Sequence, residues 1–131
     1  MNIYDRSIEI STEISIKLRG HDFRPSLEIS NKTSIETELS KVIVNKEDML
    51  KWSDRLREYF STEEDRSGVN SSLEISDFSQ IVVFAESADG MPFCLDYRNN
   101  KNKPSIIWWD DDHWIRICSD QDEFVKIFEP E

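Results

Sequence analysis

Asp110-Asp111-Asp112-His113 is the densest run of potential ligand or acid–base groups in the chain. Carboxylates and imidazole are donors suited to a divalent ion, but consecutive residues in a turn point in different directions. The Gly-bearing spacing of a calcium loop is also missing. We therefore expect a solvated hairpin tip and no metal. His21 and His113, the only histidines, each adjoin a loop aspartate. A small hydrolase built on His113 is one functional alternative, yet nothing resembles a nucleophile elbow or a zinc-protease pair. Cys94 has no basic sequence neighbour to lower its pKa, and Gly20, Gly68 and Gly90 are too scattered for a phosphate cradle. Neither catalysis nor a cofactor is expected.

The same region suits binding better. Trp108, Trp109, Asp110, Asp111, Asp112 and Trp114 bring indoles and carboxylates together, with Glu86 and Asp89 at the preceding turn. Neighbouring strand residues face opposite sides, so Trp108 and Trp109 must point apart. An exposed indole beside carboxylates would combine an aromatic anchor with charge steering toward a basic protein. The alternative is that a second helix covers that indole.

The elements that must position these residues run from Ile81 to Phe128. Ile81-Val82-Val83-Phe84, Phe93-Cys94-Leu95-Asp96-Tyr97, Ile106-Ile107-Trp108-Trp109 and Trp114-Ile115-Arg116-Ile117 are strand-length apolar runs. The segments between them are rich in Asp, Asn, Gly and Pro, which favour turns. Connections this short join antiparallel neighbours, so the spacing predicts a meander over 73–118. Ser119 and Asp122, with capping-box-like spacing, open a C-terminal helix over 119–129.

Upstream, Asn45 is placed to cap a helix over 45–60. Its Met49, Trp52, Leu56, Tyr59 and Phe60 recur at helical spacing and are expected to form a core face. Residues 61–72 are almost devoid of apolar side chains and read as an exposed loop. In residues 1–44, Ile8, Ile10, Ile14, Ile16 and Leu18 fall on alternate positions, with Thr12 filling the gap, which predicts strand. The fold class expected is α+β: one domain over 1–131, mainly an antiparallel sheet of about six strands with a central amphipathic helix and a short C-terminal helix packed on it.

Composition limits the function. At 131 residues, with seven Phe, four Trp and three Tyr, the chain can close one core without staples. Cys94 and Cys118 are too few for a disulfide framework, although a single bridge between them stays open. The net charge of −11 is uneven. Residues 1–60 hold ten Lys/Arg against eleven Asp/Glu, whereas residues 61–131 hold six against sixteen, net −10. That field repels phosphate backbones and attracts basic proteins, although acidity for solubility alone is the competing reading. No segment reads as a membrane span or a secretion signal. The expectations are a cytoplasmic protein, monomer or weak dimer, binding neither nucleic acid nor membrane.

The order Phe84-Ala85, Asp89-Gly90, Phe93-Cys94-Leu95-Asp96, Pro104-Ser105-Ile106-Ile107-Trp108-Trp109-Asp110, then Phe124 and Phe128, resembles the second half of SUKH-superfamily domains. The resemblance is carried by the C-terminal half of the chain. It implies an α+β domain, usually bacterial, that serves as an immunity protein neutralising a toxin domain, often a nuclease or deaminase. It implies no catalytic constellation. A regulatory or structural adaptor with no toxin partner is the alternative.

Overall fold

The computed structural model describes residues 3–18, 39–59, 78–88, 90–109 and 114–128. Within them are helices α1 (Ile3–Lys17), α2 (Lys46–Tyr59) and α3 (Gln121–Phe128) and strands β1 (Leu39–Val42), β2 (Ile81–Ser87), β3 (Pro92–Asp96), β4 (Ser105–Trp109) and β5 (Trp114–Cys118). The strands form one antiparallel sheet in the order β1-β2-β3-β4-β5. The chain is an α+β single domain, with five strands among the described residues where about six were expected.

The β2–β5 meander follows from its turns. Gly90 supplies a left-handed φ of 83° between β2 and β3, a conformation that costs other residues a Cβ clash. Asn100 Oδ1 accepts the backbone N–H groups of Asn102 and Lys103 in the loop before β4. Asp96, at the end of β3 and almost fully buried, accepts from the Arg98 backbone at 3.0 Å and from its guanidinium at 3.0 and 2.9 Å. The buried charge is thereby paired locally, which raises Arg98's pKa.

Register sorts the side chains onto two faces. Phe93 lies opposite Trp108, and Leu95 opposite Val82 and Ile106. On this face Phe124 of α3 meets Phe84 and Phe93 edge-on, at 5.4 and 5.5 Å between ring centroids. Helix α1 shares the layer: Glu13 accepts from Gln121, and the Ser7 and Tyr97 hydroxyls are 2.8 Å apart. The other face carries Val83, Cys94, Ile107 and Trp109.

Helix α1 corrects the strand expected from Ile8 to Leu18. Its buried positions are Ser7, Ile10, Ser11 and Ile14, with Leu18 just beyond, while Ile16 is exposed. Those positions follow a helical three-and-four spacing. The alternation of the isoleucines is real but two of the inward positions are serines, whose hydroxyls bond the carbonyls of Ile3 and Ile43. The rest of the N-terminal stretch, residues 19–38, and the loop expected at 61–72 lie outside the described residues.

Asn45 caps α2, its Oδ1 accepting from Glu47 and Asp48 N–H at 2.8 and 3.2 Å. At α3 the cap sits one residue later than expected. Asp120 accepts from Glu123 N–H, and the Glu123 carboxylate reaches back to Ser119 N–H. The longer Glu can span that return, which Asp122 could not.

Helix α2 also closes the sheet. β1 pairs β2 only over Ala85 to Ser87, continued by Ile43 N–H to Phe84 C=O. Beyond that point α2 side chains take over. Ser53 accepts from Val83 N–H at 3.0 Å, and the Arg57 guanidinium donates to the carbonyls of Ile81 and Phe78, each at 3.1 Å. An edge that would otherwise recruit a foreign strand is thereby occupied.

Candidate partner-binding surface

The structure buries all three indoles proposed as partner anchors. Trp108, Trp109 and Trp114 are 3%, 8% and 1% exposed. Trp108 stacks on Phe93 at 5.6 Å and 18°. Its Nε1 meets no acceptor among the described residues, so the ring contributes through its apolar area. Trp109 faces the other way, as register requires, but tilts against Trp114 at 5.3 Å, and Trp114 in turn meets Phe78. Aromatic pairing across β4 and β5 draws both rings inward. Of the two readings left open at these positions, exposed or covered, the indoles take the covered one. Asp89, Asp110, Asp111, Asp112, His21 and His113 lie outside the described residues.

Among the described residues, Glu86 is the proposed site residue left accessible. It is half-buried and makes no ion pair among the described residues. Its orientation comes from an irregularity in β2: Val83 pairs Cys94, Ala85 pairs Phe93, and Glu86 pairs Pro92. Strict alternation would place Glu86 with Val82 and Phe84, inside the layer covered by α1 and α3. The extra residue shifts the phase, so Glu86 joins Pro92, Cys94 and Val83 on the opposite face.

There Glu86 borders a cleft of about 180 Å³ between α2 and the β2–β3 hairpin. Val83 and Pro92 floor it, with Ala85 between Val83 and Glu86 along β2, Leu56 forms a wall, and Trp52 and Arg55 stand at the rim. Trp52 is 36% exposed, and the Arg55 guanidinium lies 4.9 Å from its ring centroid. That separation is within the range of a cation–π contact. Tyr59, further along α2, is 59% exposed. The core face of α2 is instead Met49, Ser53 and Leu56. Trp52 was thus concealed in the sequence by its company: it keeps apolar spacing with Met49 and Leu56 but sits beside the stripe that Ser53 completes.

Burial pushes the thiols of Cys94 and Cys118 upward, with nearby carboxylates adding to the shift, so neither is held as a thiolate. No group of three or more potential metal ligands occurs among the described residues, and no described helix is long and apolar enough to cross a membrane.

The family description that matches is "SMI1 / KNR4 family (SUKH-1)", over residues 9–127. The chain belongs to the SMI1 / KNR4 family (SUKH-1). No curated protein and no solved structure matches it. The SUKH-1 match takes in α1 and α2 as well as the meander, so the kinship first legible in the C-terminal half covers most of the chain. SUKH-1 membership implies work through protein–protein contact, and an apolar cleft rimmed by Trp52, Arg55 and Glu86 is the kind of surface such a role requires.

Proposed function

We propose that the chain is a cytoplasmic, non-enzymatic bacterial immunity protein that binds and neutralises a cognate, basic toxin domain of nuclease or deaminase type through an acidic surface. The observation that carries this reading is the SUKH-1 match over residues 9–127. Charge supports it: a toxin that acts on nucleic acid needs a positive surface to meet phosphates. A chain with net −10 in residues 61–131 is attracted to that same surface. Of the sixteen carboxylates in that half, Glu86, Asp96, Asp120, Asp122 and Glu123 fall in described residues, and Asp96 among them is buried against Arg98.

The test is co-expression with the product of the adjacent upstream gene, which this reading requires to be the toxin. Colony formation should be restored, and the two chains should elute together with the toxin's mass unchanged, as inhibition by occlusion requires. Persistent lethality, or separate elution, would remove the toxin reading. Co-elution with a housekeeping protein instead would favour an adaptor.

A further inference from the structure

We infer that the cleft between α2 and the β2–β3 hairpin is where the toxin domain seats one apolar side chain, flanked by a Lys or Arg that pairs with Glu86. This rests on the immunity reading and adds to it a place and a chemistry of contact.

Size selects the class of occupant. A benzene-sized group fills a cavity on the order of 150 Å³, whereas clefts for metabolites begin near roughly 300 Å³. At about 180 Å³ the cleft matches a single Leu, Met or Phe side chain. Its floor and wall, Val83, Pro92 and Leu56, offer that side chain an apolar seat. Trp52, standing at the rim with its face supported by Arg55, closes over one flank of the insert. Anchors of this kind dominate interface energies when a ring of surrounding residues excludes water.

Charge selects its neighbour. Glu86 is half-buried, which raises the value of a compensating cation. Among the described residues nothing supplies one: Lys41 lies opposite Glu86 in register but forms no ion pair with it, and the Arg55 guanidinium is engaged with the Trp52 ring. A cation on the partner meets an acceptor already oriented and partly desolvated, so it loses little on pairing. The net −11 of the chain draws a basic partner toward any such acceptor.

The experiment measures affinity of the full chain for the purified, catalytically inactive toxin domain encoded beside it. The panel is wild type, Glu86→Gln, Glu86→Lys, Trp52→Ala and, as a charge control on α1, Glu9→Lys. Far-UV circular dichroism and thermal midpoints confirm that each variant is folded. The mutated positions Glu86, Trp52 and Glu9 are all at least partly exposed. Glu86→Lys and Trp52→Ala should each weaken binding by roughly tenfold or more, with Glu86→Gln intermediate and Glu9→Lys within about twofold of wild type. Wild-type affinity in Glu86→Lys and Trp52→Ala would overturn the docking site while leaving the immunity reading intact. Equal losses in Glu9→Lys and Glu86→Lys would also overturn it, by reducing the effect to net charge. Absence of binding by wild type would overturn both readings together.

Discussion

The backbone N–H of Val83 donates to Ser53 Oγ at 3.0 Å, so a helix side chain stands where a neighbouring strand would otherwise be. With Arg57 donating to the Ile81 and Phe78 carbonyls, α2 is attached to the sheet through the sheet's own hydrogen-bonding groups as well as through Leu56.

Ser53→Ala removes the acceptor and leaves a buried N–H unsatisfied. The expected loss is about 1–3 kcal/mol, read from urea denaturation. Ser40→Ala, on the exposed side of β1, should change stability by less than about 0.5 kcal/mol. Equal effects at the two positions would show that the Val83 bond is not holding the helix.

Tyr97 gives the fold a dependence on alkaline pH. Burial raises its phenol from the ordinary value to about 12, against the opposing influence of its Ser7 hydrogen bond. Because the folded value is the higher one, this contribution is complete below about pH 10 and is lost as pH rises through about 12. Tyr97→Phe should flatten the fall in thermal midpoint across that window. It should also cost about 1 kcal/mol at neutral pH through the lost hydrogen bond. Cys94 and Cys118, likewise raised by burial, titrate in both proteins, so the difference isolates Tyr97.

Cys94 shares a face with Ile107, whereas Cys118 lies opposite Ile106. The two thiols therefore point to opposite sides of the sheet and are free. Both should react slowly with a thiol reagent under native conditions and fully in denaturant, with no change in mass on adding reductant. An oxidised chain two protons lighter would contradict this register.

The four tryptophans should separate by accessibility. Acrylamide is expected to quench one readily reached component, assigned to Trp52, and to reach the other three slowly. Trp52→Phe should abolish that component, and Trp109→Phe should leave it. A fast component that survives Trp52→Phe would mean that an indole on β4 or β5 is open.

The meander was legible because each level of the sequence agreed: apolar runs of strand length, turn residues between them, and short connections. At α1 the levels disagreed. The isoleucines alternate, but burial follows Ser7, Ile10, Ser11 and Ile14, and a reading that counts only apolar residues passes over serines placed inward to bond Ile3 and Ile43. The candidate site was half legible for a similar reason. Glu86 could be singled out as a carboxylate near a turn, but the phase change that aims it depends on how Ala85 pairs, which no single strand encodes. Trp108, Trp109 and Trp114 drew attention by their number, and it is their pairing with one another and with Phe93 and Phe78 that takes them out of reach.

The irregularity in β2 separates two tasks that a regular strand would merge. Residue 86 can be exchanged for one of another size or sign without entering the layer in which Phe84 meets Phe124 of α3. A change of side chain at that position therefore alters the outer contact face while the scaffold beneath keeps its folding energy.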